Sequence, residues 1–182
     1  MSFNHNIPLS IKGFELREIT NNAIFDLFEI YSDKEILRYT DSELHKTLDD
    51  THKFIAKIEE KQVLKLCMYI GIFSKTENKL IGTLAIYDIN YKHSFASIAC
   101  VLNKKYWRKG IMTSGIQALI DYSFTTLNLN RLEAQVFEFH TASIALFRKL
   151  KFTEEGILRK NFLIEGKFEN SIMFSMLNVG NL

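Results

Sequence analysis

The spacing of apolar and polar positions predicts alternating strands and helices in the first half of the chain. Apolar residues near alternation indicate a first strand over 14–19. Two amphipathic helices follow, the first with Thr20 and Asn21 as candidate caps and the second over 47–60 with Thr47 as its cap. Apolar runs rich in branched and aromatic residues then predict three antiparallel strands, over 63–73, 80–89 and 94–102.

The pattern changes to helical spacing at Lys109 and keeps it up to Asn128, a residue that tolerates the left-handed conformation of a helix end. Three further segments are a strand over 131–137, a short helix over 141–150, and a pair of strands over 156–177 joined at Glu165 and Gly166. The order β α α β β β α β α β β predicts a mixed α/β (α+β) fold. No repeat or linker divides it, so we predict one domain over 1–182 with its core in 14–177.

Composition narrows the class of partners. The chain has 182 residues, 47% of them apolar, and a formal net charge of +2, so we expect neither nucleic acid nor a membrane as main partner. Cys67 and Cys100 lie in apolar runs and are expected to be buried. The histidines show no metal-ligand spacing, so we predict no metal site. Neither a signal peptide nor a run of about 18 apolar residues is recognisable, so we expect a cytoplasmic protein.

The stretch YWRKGIMTSG, residues 106–115, combines positive charge with a glycine at the start of a helix. Lys104, Lys105, Arg108 and Lys109 place four cations within six residues. The first N–H groups of a helix have no partner inside the helix, so such a turn suits phosphate oxygens and, with this charge, a pyrophosphate. A solvated basic loop before an ordinary helix is the alternative. The glycines match neither a nucleoside-triphosphate P-loop nor a Rossmann fingerprint.

The layout and the stretch over 106–124 resemble the GNAT superfamily of acetyl-coenzyme A dependent N-acetyltransferases, and especially its branch of ribosomal-protein amino-terminal alanine and serine acetyltransferases. In the superfamily pattern Arg/Gln-x-x-Gly-x-Gly/Ala, the first, fourth and sixth positions are Trp107, Gly110 and Met112, as is usual in that branch. The stretch VFEFHTASIALFRKLKF, residues 136–152, is a second match. The resemblance implies a central, mostly antiparallel, twisted sheet of about seven strands flanked by four helices, splayed between strands four and five.

The resemblance also implies which residues bind acetyl-CoA. The pyrophosphate would lie against the turn and the helix start, formed by Arg108, Lys109, Gly110, Ile111, Met112 and Thr113. The pantetheine arm would pair with the strand backbone at Cys100, Val101 and Leu102. Two residues near the short helix would add contacts: His140, which stands where the family has asparagine, and Ser143.

Three residues are candidates for proton transfer: Ser143 as acid for the departing thiolate, Glu133 as base through water, and His140 as base. A structural alternative stays open for each. Ser143 would bond its own helix or the coenzyme, Glu133 would pair with a lysine on the sheet, and His140 would be a hydrogen-bonding or surface residue. Two departures bear on the mechanism, since Phe147 replaces a tyrosine acid of the family and Ser97 replaces a glutamate.

The activity implied is transfer of acetyl from acetyl-CoA to a primary amine by direct attack in a ternary complex. A protein or peptide amino terminus is the favoured acceptor, because an α-amino group is neutral for about a tenth of molecules at pH 7 and a lysine amine for about one in 2,500. A small amine (polyamine, amino sugar or amino acid) and a catalytically impaired CoA-binding sensor are the alternatives. We expect the acceptor side between Asn21 and Lys61 and near Tyr91, and a homodimer through the closing strands is compatible with the family.

Overall fold

The computed structural model describes residues 10–11 and 13–181, so both ends of the predicted domain, residues 1 and 182, lie outside the described residues. Eight strands form one sheet in the spatial order β1-β2-β3-β4-β5-β6-β8-β7, and only β5 and β6 are parallel. The strands are β1 (Ser10–Ile11), β2 (Phe14–Glu18), β3 (Cys67–Ser74), β4 (Lys79–Asn90), β5 (Phe95–Leu102), β6 (Arg131–Phe137), β7 (Thr153–Ile164) and β8 (Lys167–Leu177).

In the part of the chain that the structure describes, five α-helices cover the two faces of the sheet. They are α1 (Ile24–Tyr31), α2 (Lys34–Leu37), α3 (Leu48–Val63), α4 (Ile111–Thr125) and α5 (Thr141–Lys149). Helices α4 and α5 pack in one apolar cluster and helices α1, α2 and α3 in another. Because successive side chains of a strand point to opposite faces, β5 serves both clusters, with Leu102 in the first and Val101 in the second.

The mixed α/β class and the mostly antiparallel sheet predicted from the sequence are confirmed. The element count differs from the prediction of seven strands and four helices. The extra strand is the two-residue β1, and the extra helix is the four-residue α2, which lies in a polar stretch. Elements this short have no hydrophobic period long enough to read from a sequence.

The predicted start at Val63 of the second predicted strand, 63–73, is wrong, because α3 runs through Val63 and β3 begins at Cys67. Lys65 turns the chain between them with φ 56°. Val63 and Leu64 are 81% and 60% exposed, so their apolar character reflects neither a strand nor the core. A short apolar run next to a helix cannot be assigned by periodicity alone.

Several local signals are confirmed. The Thr47 hydroxyl and the Asp50 carboxylate cap the first turn of α3 reciprocally. Asn128, in the segment that follows α4, adopts the left-handed conformation with φ 53°. Glu165 and Gly166 join β7 to β8 with φ 49° and 81°, as a two-residue hairpin requires.

Candidate active site

Strands β5 and β6 are paired only over their first residues. Their parallel ladder covers 95–97 of β5 and 131–133 of β6. Beyond it β5 continues to Leu102 and β6 to Phe137 without pairing to each other. Ala99 is exposed although β5 lies in the middle of the sheet. The splay predicted between strands four and five is therefore present, since these strands are β5 and β6 of the structure, and it opens a gap between them.

The turn after β5 leads into a helix start that no described side chain caps. Gly110 precedes α4 in the left-handed conformation, with φ 76° and ψ 0°, and no side chain accepts from the first N–H groups. Arg108 is also left-handed, with φ 61°. A Cβ added to Gly110 would meet no atom within 4 Å, so the space above this residue is open. The helix start thus presents free donors and a positive dipole end to that space.

Two of the four cations in this turn are neutralised by distant carboxylates. Lys104 Nζ lies 2.9 Å from Asp33 Oδ2 and 2.8 Å from Glu35 Oε2, and Lys105 Nζ lies 3.0 Å from Glu29 Oε1. The four cations of this stretch therefore do not all stand as free charges beside the helix start. The partners precede the lysines by 69 residues or more, and no local pattern reveals them.

The other two cations are free to act on a ligand. Arg108 and Lys109 make no ion pair within residues 10–11 and 13–181. Lys109 Nζ lies 5.0 Å from the centre of the Tyr106 ring, a distance that allows a cation–π contact. The local positive charge therefore comes from these two side chains beside Gly110.

A cleft of about 500 Å³ extends from the open start of α4 along the end of β5 to the start of α5. All eleven residues predicted to bind the coenzyme line it: Cys100, Val101, Leu102, Arg108, Lys109, Gly110, Ile111, Met112, Thr113, His140 and Ser143. They come from three separate parts of the chain, and the fold brings them together on one concave surface.

The rim at the start of α5 carries two of the proton-transfer candidates. His140 precedes α5, and its ring stacks on Tyr39 with centroids 4.2 Å apart and planes at 22°. Burial disfavours the charged imidazole and lowers the pKa of His140 to about 4, so it is neutral at pH 7. The Ser143 N–H donates to the His140 carbonyl at 3.1 Å, while the Ser143 hydroxyl makes no hydrogen bond with another described residue. That hydroxyl is therefore available to the cleft.

Glu133 is not among the residues that line the cleft. Its carboxylate accepts a hydrogen bond from Arg131 Nε at 2.7 Å, and Arg131 Nη1 also donates to Glu155 at 2.9 Å. The Glu133 side chain is 25% exposed and that of Arg131 is 27% exposed. The geometry supports the structural alternative for Glu133, with an arginine in place of the lysine that the sequence suggested.

Phe147, at the position of the family tyrosine, belongs to the core. It is 3% exposed, and its ring centroid lies 5.6 Å from that of Phe174 and 5.0 Å from that of Phe152. The residues of α5 that line the cleft and carry a hydroxyl group are Thr141 and Ser143.

Comparisons with known proteins decide the family. A family model for the acetyltransferase (GNAT) domain matches residues 14–153. The uncharacterized N-acetyltransferase p20 of Bacillus licheniformis is 32% identical over 151 residues, which cover 83% of this chain and 85% of that protein. The chain belongs to the GNAT acetyltransferase family. It is accordingly an N-acetyltransferase, as the resemblance implied.

Two solved structures share this GNAT fold. The spermidine N-acetyltransferase of Vibrio cholerae, in complex with CoA and spermine, matches with a TM-score of 0.82 at 22% identity over 92% of this chain and 96% of that chain. The ribosomal-protein-S5-alanine acetyltransferase of Vibrio fischeri matches with a TM-score of 0.85 at 22% identity over 94% and 96%. The fold is common to enzymes with different acceptors, so it does not identify the acceptor.

Several cleft residues were not among those predicted for the coenzyme. The α2 segment contributes Ile36, Tyr39 and Thr40, which lie in the range 21–61 expected for the acceptor side. Trp107 lines the cleft and donates from Nε1 to the Leu102 carbonyl at 2.8 Å, which fixes the turn onto the end of β5. The aromatic residues of the stretch YSDKEILRY are the local signal for this part of the cleft, and they do not distinguish a cleft from an ordinary surface.

Two further findings concern cofactors and membranes. Within residues 10–11 and 13–181, no group of three or more His, Cys, Asp or Glu side chains is arranged to hold a metal ion. In the same part of the chain, no helix has the length and apolar character needed to cross a bilayer.

Proposed function

We propose that this protein transfers the acetyl group of acetyl-CoA to a primary amine, with a protein or peptide amino terminus as the favoured acceptor. The observation that carries the proposal is the uncapped start of α4, which opens into the same cleft as the eleven residues predicted for the coenzyme. Family membership gives the class of reaction, and the cleft is where we propose that the reaction takes place.

The residues of the cleft fit acetyl-CoA. The N–H groups of 111–113 are donors for pyrophosphate oxygens, and the space above Gly110 lets them approach. Arg108 and Lys109 add positive charge beside these donors. The edge of β5 that faces β6 is unpaired beyond Ser97, and it offers its backbone at 100–101 to the amide groups of the pantetheine arm.

When bound, acetyl-CoA supplies an activated acetyl thioester. The amine nitrogen attacks the thioester carbon, so a C–N bond forms as the C–S bond breaks; one proton leaves the amine and one reaches the sulfur. We assign the second proton to the Ser143 hydroxyl, directly or through water, because Ser143 lines the cleft and its hydroxyl has no hydrogen-bond partner among the described residues. The proton that leaves the amine passes through water to the Ser143 oxygen and restores its hydroxyl. Burial raises the pKa of the Cys100 thiol to about 12, so this residue is no nucleophile at neutral pH and direct attack is favoured.

The cleft lacks a strong base, and this favours an acceptor that is partly neutral by itself. His140, with a pKa of about 4, is too weak a base to deprotonate an ammonium group efficiently. An α-amino group near pKa 8 supplies about a tenth of its molecules in the reactive form at pH 7 without help, whereas an alkyl amine near 10.4 supplies far less. This argument supports an amino-terminal acceptor.

A polyamine is the second candidate acceptor. It is supported by the likeness of the whole fold to a spermidine N-acetyltransferase whose structure contains CoA and spermine. The two candidates differ in the pKa of the reacting amine, which makes them separable by the pH dependence of the rate.

The test is an acceptor panel with acetyl-CoA at pH 6 to 9.5. It contains a lysine-free peptide with an amino-terminal alanine or serine, the same peptide with a blocked terminus, spermidine, spermine and glucosamine. We expect mass spectrometry to find acetylation of the free peptide alone, with a rate that rises with pH and levels off near pKa 8. Polyamine acetylation without peptide acetylation would transfer the assignment to the second candidate.

Ser143→Ala tests the assigned acid, with Thr141→Ala on the same helix as matched control. We expect kcat to fall by about 100-fold for Ser143→Ala, with a much smaller loss of acetyl-CoA affinity, and the kcat of the control to stay within about twofold. Equal kcat values for the two variants would remove Ser143 from the proton transfer.

A further inference from the structure

The turn between β5 and α4 is anchored to α1 by one carboxylate. Glu29 of α1 accepts hydrogen bonds from Asn103 Nδ2 at 3.1 Å and from Lys105 Nζ at 3.0 Å. It also accepts from Lys79 Nζ, which holds the carboxylate against β4. The residues it binds are separated from it by 50 to 76 positions, so Glu29 joins three elements that are remote in sequence.

Asn103 is the part of this arrangement that determines the shape of the turn. It is 4% exposed, and its own N–H donates to the Ile81 carbonyl at 2.8 Å. Its Oδ1 accepts the Lys105 N–H at 3.1 Å, and its carbonyl accepts the Tyr106 N–H at 2.9 Å. Since Oδ1 and Nδ2 belong to one planar amide, the bond to Glu29 fixes which way Oδ1 points. Glu29 thereby sets the start of the turn that ends at the left-handed pair 108 and 110.

The charge of Glu29 is secure over the working range of pH. The hydrogen bond from Lys79 and then that from Lys105 lower the pKa of Glu29 to about 2. The side chain is 38% exposed, so solvent screens part of each ion pair, and the contact with the buried Asn103 contributes more to the geometry than the exposed lysine does.

We propose that Glu29 is a positioning residue for the coenzyme: through Asn103, and secondarily through Lys105, it holds the β5–α4 turn in the shape that presents the α4 N–H groups to the pyrophosphate. This inference rests on the proposed function. Glu29 lies outside the cleft lining and acts on the ligand only through the turn.

If Glu29 acted on the ligand only through its charge, its removal would change CoA affinity in the opposite direction. Removing a negative charge near an anionic ligand strengthens binding if the charge acts only through space. Removing a residue that shapes the turn weakens binding, because the N–H donors lose their alignment. The direction of the change in the dissociation constant of CoA therefore separates the two explanations.

The experiment compares Glu29→Ala, Glu29→Gln and the control Glu59→Ala by calorimetric titration with CoA. Glu59 is exposed on α3 and makes no ion pair with another described residue, so its variant changes the net charge without touching the turn. We expect Glu29→Ala to raise the dissociation constant about tenfold. Glu29→Gln keeps an oxygen for Asn103 Nδ2 and should raise it only about threefold. The control should stay within about twofold.

Steady-state kinetics adds a readout that loss of stability would not move. With the acceptor that the wild type acetylates, Glu29→Ala should raise KM for acetyl-CoA and leave kcat within about twofold, since saturating coenzyme reshapes the turn. In a double-mutant cycle with Asn103→Ala, the combined variant should bind CoA no more weakly than Asn103→Ala alone. If the wild type binds CoA and folded Glu29→Ala binds it equally well or more tightly, the inference about Glu29 is overturned and the proposed function is not. If the wild type does not bind CoA, both are overturned.

Discussion

The amino termini of α3 and α4 are completed in different ways. At α3 the Thr47 hydroxyl accepts from the Asp50 N–H, and the Asp50 carboxylate accepts from the Thr47 N–H at 2.8 Å, so the chain satisfies its own donors. At α4 Gly110 supplies no side chain, and its left-handed backbone turns the donors toward open space. A helix start that the chain closes contributes to stability, whereas one that it leaves open is suited to a ligand.

Helices α2 and α5 show the same distinction, whereas α1 follows a short 3-10 helix over Asn21–Ala23, has no side-chain cap and lies outside the cleft lining. Asp33 caps α2 by accepting the Glu35 N–H at 2.9 Å. His140 precedes α5 without a side-chain cap, and α5 begins at the same cleft as α4. The uncapped starts of α4 and α5 thus both face the cleft, while the capped starts of α2 and α3 are closed by the chain itself.

Removing either free cation beside the open terminus should have a large effect on CoA binding. We expect Arg108→Gln and Lys109→Gln each to weaken CoA binding about tenfold, because each removes a charge that no described carboxylate neutralises. Lys104→Gln is the matched control in the same turn, and its charge is already paired with Asp33 and Glu35, so its effect should stay below about twofold. Calorimetric titration at two salt concentrations measures all three. Equal losses of CoA affinity in the three variants would contradict the distinction between the paired Lys104 and the free Arg108 and Lys109.

A smaller effect, on stability and not on binding, is expected at the closed terminus. Thr47→Ala removes the cap of α3 and should lower the free energy of unfolding by about 1 kcal/mol, while Thr47→Ser keeps a hydroxyl and should change it little. Urea unfolding measures the stability, and titration with CoA should give the wild-type affinity for both. A loss of CoA affinity in a folded Thr47→Ala protein would contradict the separation of the two termini.

The smallest effect at neutral pH concerns the start of α5. The folded pKa of His140 is about 4 and its ordinary value about 6.5, so the unfolded chain binds the proton more tightly. Stability should therefore fall as the pH is lowered from about 6.5 toward 4, and His140→Asn should remove part of this fall with little change at pH 7. Burial lowers the pKa of His45 in the same direction, so some pH dependence will remain. If the free energies of unfolding of the wild type and His140→Asn fall in parallel over this pH range, the claim that His140 is buried in its neutral form is contradicted.

The parts of the fold that were predictable are those encoded by neighbouring residues. The cap at Thr47, the left-handed Asn128 and the Glu165–Gly166 hairpin each follow from a few adjacent side chains. The residues predicted for the coenzyme line one cleft; a glycine with flanking cations marked its helix start, and the family motif extended the prediction to the other positions.

The parts that were not predictable depend on contacts between distant residues. The pairing of Lys104 and Lys105 with carboxylates of α1 and α2 depends on the packing of those helices beside the turn. The stacking of Tyr39 on His140 joins positions separated by a hundred residues of sequence. Glu133 differs, since its partner Arg131 lies two residues away on the same strand; only the second bond of Arg131, to Glu155, joins distant positions.

The most direct measurement of the central claim is calorimetric titration of the wild type, Gly110→Asn and Gly110→Asp with acetyl-CoA. Asparagine and aspartate are similar in size and both tolerate the left-handed conformation at φ 76°, so the two variants differ in charge alone. If the open start of α4 binds the pyrophosphate, Gly110→Asn will bind more weakly than the wild type and Gly110→Asp about 100-fold more weakly still. Equal affinities of the two folded variants, or wild-type affinity in both, would show that the pyrophosphate does not bind at this terminus.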